Sequence, residues 1–375
     1  IIEIRSWQIE QAITMFNSLN STGLPLSDAD IISAQLYSKA DNKTEFNERW
    51  ESINKLASEL SIKKVVNIDA VLQQFMYITR AINKEYINNG STDVTTPGLR
   101  KYYMTINKAL LEDPFGLCNS FNKITLIWDT IKDYPIIKLL LKFNENAKLY
   151  LISYLYRLDL NNLTEAKTLE IAECLIKLFA LLELVDSGYS SKNFKTFLFT
   201  ENIKLVDNVY SIDEIKKDFS NHINKTWQKD DIRGLIQEYE KNILVYLNEY
   251  IYAKGRDKDF NFSDNVNIEH IMPASGHNIN IIRQDANIQT IDEFNSIVNH
   301  LGNKILVEEN INKTIGNEWF KTKKQKSIRE KSGYKDSKYH IAQSLIDYPS
   351  DLWTKDDIEK ANSKNINRIV SFIFD

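Results

Sequence analysis

Cysteine is nearly absent from this sequence: Cys118 and Cys174 are the only two, and they form no CxxC pair. That argues against a disulfide scaffold and a thiolate zinc site, and it fits a reducing cytoplasm. Glycine (11) and proline (6) are scarce for 375 residues. So few turn residues argue against an all-β protein and for long helices. The most apolar segment, residues 169–185, carries Glu170, Glu173, Lys177 and Glu183, so it reads as a buried helix rather than a membrane span. No secretory signal, fixed-period repeat, low-complexity tract or P-loop is visible. The formal charge of −4 gives no global nucleic-acid signal, so any basic surface must be local.

Hydrophobic content of 43% and charged content of 26% describe a globular chain, and its length suggests two or three domains. The sequence opens on Ile1, and Ile1-Ile2-Glu3-Ile4 looks like a strand entered part-way; the expectation is a fragment with N-terminal sequence missing. A helical stripe through Ile9, Ile13, Phe16 and Leu19 breaks at Gly23. Ser27 and Asp30 then resemble a capping box, with Asp where Glu or Gln is preferred. Apolar spacing predicts helices near 45–60, 68–88, 99–112, 119–132, 145–158, 165–186, 212–225 and 230–252.

After a polar linker at 255–259 the pattern changes. Val266–Ile271 reads as a short strand, 273–289 as irregular, and Thr290 with Glu293 as a capping signal for a helix stopped by Gly302. Lys304–Val307 reads as a second strand, followed by a helix from near Asn312 or Asn317 towards Lys326. Strand, insertion, strand and helix make a ββα unit. The fold expected is mainly α, with a multi-helix middle domain and a C-terminal α+β domain. The partition is 1–44, 45–252 and 253–375.

Chemistry concentrates in Asn267-Ile268-Glu269-His270-Ile271-Met272-Pro273, read with Leu301-Gly302-Asn303 and Asn312. A carboxylate and an amide oxygen can hold a hard cation, and a histidine can activate water. Phosphodiester hydrolysis needs both, because a general base contributes only ~10²–10⁴-fold to a very slow reaction. His270 is the expected base, since its ring titrates near working pH. Glu269 and Asn312 are the expected ligands of Mg²⁺ or Mn²⁺. Strand alternation puts Glu269 and His270 on opposite faces, so the strand must end or bend there, as Pro273 suggests. Asn303 is expected to hold the His270 ring. As a lone residue, each has a simpler reading: a core histidine, a surface carboxylate, a helix cap, a turn residue. His300 reads as structural or DNA-facing and His277 as a loop residue, while His222 and His340 carry no constellation.

From Lys313 to Lys338 nine Lys or Arg face three acids, a local excess of +6 beside the motif. Lys313, Lys321, Lys323, Lys324 and Lys326 are the expected phosphate contacts, against the alternative of a solvated helix face. Trp319 and Phe320 read as packing residues.

Two segments together resemble the GmrSD-type restriction family. Residues 16–31, Phe-Asn-Ser-Leu-Asn-Ser-Thr-Gly-Leu-Pro-Leu-Ser-Asp-Ala-Asp-Ile, resemble the end of its ParB-like nuclease/NTPase domain. Glu269–Pro273, Leu301-Gly302-Asn303, Asn312, and Phe320 followed by Lys323 resemble its C-terminal HNH (His-Me finger) nuclease domain. The resemblance covers about 1–40 and 250–375. It implies a ββα-metal nuclease unit and a bacterial anti-phage role cutting double-stranded DNA in a modification-dependent way, with NTP bound only through a missing N-terminal domain. The family's Asp-Gly-Gln-Arg-type motif is absent here, Ala274 stands where Gln is frequent, and Lys304 where Leu is usual. The reading is therefore a metal-dependent DNA endonuclease or nickase, cytoplasmic and without a membrane partner. Two other readings are a non-catalytic DNA-binding or regulatory subunit and an NTP-driven sensor whose chemistry lies in the missing N-terminus. Homo-oligomerisation stays open.

Overall fold

The computed structural model describes residues 10–11, 14–15, 26–88, 91–92, 95–185, 187–261, 265–324 and 332–375. Among them the chain is mostly helical, with a small two-stranded antiparallel sheet towards the C-terminus and a two-residue ribbon, Ile87–Asn88 with Ser91–Thr92. The stripe and turn expected over 9–23 fall largely outside the described residues, as does most of the 16–31 resemblance.

Local chemistry starts many of the helices. Ser27 caps Asp28–Lys39 in a complete box, accepting from Asp30 N while the Asp30 carboxylate accepts from Ser27 N. The shorter acid therefore serves where Glu is usual. Asn42, Asn67 and Asp113 cap Lys43–Ile62, Ile68–Ile82 and Pro114–Ile131 through their side-chain oxygens. Ala147–Tyr156, Glu165–Leu184 and Ile212–Thr226 also form where the spacing predicts helix.

Elsewhere the pattern misleads. Residues 99–112 form a succession of short turns, with a π-helical turn at Tyr102–Ile106, instead of one helix. Lys192–Val206 is a helix the spacing did not single out, burying Phe194, Leu198, Phe199 and Leu205. The stretch 230–252 is two helices, Lys229–Gln237 and Ile243–Lys254, separated by a polar turn. Helix Ile279–Asp285 lies within the segment expected to be irregular.

The chain packs as two units. One draws on described residues within 1–134, 145–172 and 190–215, the other on 135–144, 173–189 and 216–375. In the first, aromatic rings fill the core: Phe75 meets Phe121 edge-on at 5.4 Å, and Tyr77 meets Phe199 at 5.6 Å. The buried Trp128 indole donates to Gln74 Oε1 at 2.8 Å, so its polar end is satisfied.

The second unit holds the sheet. Val266–His270 pairs antiparallel with Lys304–Glu308, with His270 opposite Lys304 and Val266 opposite Glu308. Ile271 N donating to Asn303 O and Glu309 N donating to Asn265 O extend the pairing at its two ends. Helix Glu309–Ile315 follows directly. Gly316, at φ +49°, ends it and separates it from Phe320–Lys324, so the single helix expected here is two. Ile305, Leu306 and Val307 are all buried: helices Ile243–Lys254 and His340–Ser344 pack on this strand. The last helix, Lys355–Phe374, is capped by Thr354 in a box with Asp357. Among the described residues no helix is long and apolar enough to cross a membrane.

Candidate active site

The site is built where the first strand ends. On the opposite side of the ladder, the Leu301–Asn303 turn is fixed to the C-terminal helix. Gly302 N donates to Asn362 Oδ1 at 3.1 Å, and Asn365 Nδ2 donates to Leu301 O at 3.2 Å. Gly302 is required by proximity: a β-carbon there would lie 2.2 Å from Ile358 O and 2.4 Å from Asn362 N. The glycine read as a helix stop is a docking point for another helix. The helix it was expected to stop ends earlier, at Ile297.

Asn303 is fully buried and uses its whole amide on backbone. Oδ1 accepts from Met272 N at 2.8 Å, and Nδ2 donates to Met272 O and Val298 O, both at 2.9 Å. It does not hold the His270 ring, as the sequence reading expected. Its reach is taken by the chain beyond the strand, which it pins at Met272. The residue on the ring is Asn299, whose Oδ1 lies 3.2 Å from His270 Nε2. With a carbonyl-type oxygen facing it, Nε2 carries the hydrogen and donates, which leaves Nδ1 as the lone-pair nitrogen. Nothing in the sequence pattern marks Asn299.

His270 is half-buried. Burial pushes its ring below the ordinary value of 6.5; the Asn299 hydrogen bond opposes this, and the charges of Lys304 and Lys323 add to it. The imidazole is therefore held neutral at physiological pH, the form that can accept a proton. Lys304 explains its departure from Leu by reaching out of the sheet: it is buried, and Nζ donates to Glu240 O at 2.5 Å.

Glu269 points away from His270, as strand alternation requires. Its Oε1 accepts from Lys323 Nζ at 2.5 Å and from Tyr334 Oη at 3.1 Å, and the residue is only 5% exposed. Burial raises its carboxyl above the usual range, while Lys323 and the two hydrogen bonds oppose that rise. Burial likewise lowers Lys323, against the attraction of Glu269. The position expected to bind a cation is thus filled by an ammonium. Asn312 sits half-buried on Glu309–Ile315, and its side chain makes no hydrogen bond among the described residues. Among the described residues no group of three or more His, Cys, Asp or Glu could hold a metal ion. Glu269 with Asn312 does not fit as a ready cation cage.

The lysines separate in two. Lys313 and Lys321 are exposed, pairing with Glu309 at 2.5 Å and Asp351 at 2.9 Å. Lys323 and Lys324 are 1% and 6% exposed, and Lys324 Nζ donates to Tyr348 O and Ser350 O. The expectation that these two face DNA is corrected by their burial. A signal was available: Lys323 lies three residues after Phe320, on the same face of the helix, and Phe320 packs against Tyr348 and Trp353. Lys326 lies outside the described residues. His277 is exposed, and His300 lies past its helix with Nδ1 buried and unpartnered.

These features define a strand-end histidine whose ring meets the half-buried Asn299 amide and whose neighbour Glu269 is held in a buried ion pair. Residues 210–364 match the family model described as GmrSD restriction endonucleases, C-terminal domain. The match contains the strand pair and Glu269, His270, Asn299, Asn303, Asn312, Lys323 and Tyr334, and the likeness is that of this segment. Comparison with curated proteins gave no match.

Proposed function

We propose that residues 253–375 form an HNH-type (His-Me finger) nuclease module of ββα-metal type that hydrolyses DNA phosphodiester bonds, with His270 as the general base. One observation carries this reading. His270 ends a strand within the matched segment, and its ring is kept neutral by burial and oriented by Asn299. The Nδ1 lone pair takes a proton from water as the oxygen attacks phosphorus, the P–O bond to the departing sugar oxygen breaks, and that oxygen takes a proton from solvent; Nε2–H stays hydrogen-bonded to Asn299 Oδ1. Asn303 acts through the backbone, fixing Met272 and so the direction in which the strand leaves His270.

Dependence on Mg²⁺ or Mn²⁺ is proposed on chemical grounds, since a base supplying ~10²–10⁴-fold does not suffice for this bond. Asn312 is the donor this chain offers; Glu269 does not fit as a ligand while it holds Lys323. Residues 45–252 would link the module to an N-terminal NTP-binding domain in a modification-dependent, cytoplasmic anti-phage system. The exposed Lys313 and Lys321 are the proposed phosphate contacts.

The Lys323 ammonium at Glu269 favours a second reading, a non-catalytic DNA-binding or regulatory module. Supercoiled-plasmid cleavage with Mg²⁺ or Mn²⁺ separates the two. Metal-dependent nicking that disappears in His270→Ala supports the nuclease. DNA binding without nicking, on modified and unmodified plasmid and with full-length protein, supports the second.

A further inference from the structure

We propose that Lys323 is a positioning residue for His270: its ammonium fixes the bend at which the first strand ends. This rests on the reading of His270 as the base. Lys323 Nζ donates to Glu269 Oε1 at 2.5 Å, to His270 O at 2.8 Å and to Ile271 O at 3.3 Å, which uses all three of its hydrogens. In a straight strand, successive carbonyls point to opposite sides, so one ammonium cannot reach both. Here it reaches both, because the chain turns at Ile271, after Ile271 N has made the last ladder bond to Asn303 O, and Lys323 holds that turn. Strand alternation sends the Glu269 side chain inward to Lys323 and the His270 ring to Asn299, so the same ammonium anchors the inward face and the strand end.

Tyr334 closes the arrangement. Its hydroxyl donates to the same Glu269 Oε1 at 3.1 Å, and the phenol is fully buried. Lys323 and Tyr334, from separate stretches of chain, therefore converge on one oxygen a single residue before the base. A lysine kept only for DNA contact or solubility has no reason to be 1% exposed with every hydrogen committed to the strand end.

A single labelled pair reads the bend directly. Met272 is the one methionine of four that follows an isoleucine. Protein carrying ¹³C-carbonyl isoleucine and ¹⁵N-methionine thus gives one carbonyl–amide correlation, from Ile271 O, which Lys323 contacts, and Met272 N, which Asn303 holds. Lys323→Met alone strands a buried carboxylate, so the variants are Lys323→Met/Glu269→Gln and the milder Tyr334→Phe. The correlation is expected to move in folded protein, and kcat for plasmid nicking to fall roughly tenfold or more with KM for DNA unchanged, within what a misdirected general base can lose. If the double variant does not fold, Tyr334→Phe is read in the same way. An unmoved correlation, or an unchanged kcat in folded and active variant, overturns the proposal. Absence of nicking by the wild-type protein counts against the nuclease reading alone, and the correlation then decides the role of Lys323.

Discussion

His270 Nε2 and Asn299 Oδ1 are 3.2 Å apart, and this contact sets which ring nitrogen can accept a proton. Asn299→Leu removes the acceptor and frees the ring to change tautomer. Single-turnover nicking should slow roughly ten- to a hundredfold, short of losing the base outright. A rate equal to wild type would mean that the contact does not orient the ring.

Gly302 tests the support beneath the site. Gly302→Ala sets a methyl group 2.2 Å from Ile358 O and 2.9 Å from Asn362 Cα, backbone atoms that cannot rotate away. Overpacking of this kind costs about 1–3 kcal/mol or more, and the upper end is expected here. Urea unfolding reads it, and a variant as stable as wild type would show that the turn and the last helix are not in close contact.

These two residues also show where sequence reading reaches its limit. Signals within one turn of helix were legible: Ser27 with Asp30 and Thr290 with Glu293 are both capped as the residue types require. So were both strands, from short apolar runs, and with them the position of His270. What could not be read depends on contacts across the fold. Gly302 looks like any helix stop until a second helix lies on it. Choosing Asn299 over Asn303 for the ring needs the ladder register and the reach of each amide. Lys323 reads as a surface charge because lysine is seldom buried, although its spacing from Phe320 points inward.

Glu249 gives a pH signature. It is 1% exposed and accepts from His340 N at 2.5 Å and Ile341 N at 3.2 Å, yet burial raises its carboxyl from 4.5 to about 7 against those hydrogen bonds. A folded value above the unfolded one means stabilisation that is complete below about 4.5 and lost as pH rises towards 7. Glu249→Gln keeps an acceptor and removes the titration. It should flatten this part of the stability profile, with a gain on the order of 3 kcal/mol at most above pH 7. Urea midpoints at pH 5 and pH 8 check it; an equal pH slope in both proteins would count against a buried, titrating Glu249.

The two classes of lysine should separate in DNA binding. Lys313→Ala/Lys321→Ala should weaken binding and reduce the salt slope by about one unit per lysine. Lys324→Met, which removes an ammonium from the carbonyls of Tyr348 and Ser350, should lower stability and leave the slope alone. The reverse result would place Lys324 on the DNA.

Most direct is the pH profile of metal-supported plasmid nicking by the wild type and by His270→Ala. Because burial holds the ring below 6.5, wild-type cleavage should persist below that pH and fall only as the lowered value is passed, while His270→Ala should show no nicking at any pH. Cleavage by His270→Ala at the wild-type rate would contradict the account at its centre.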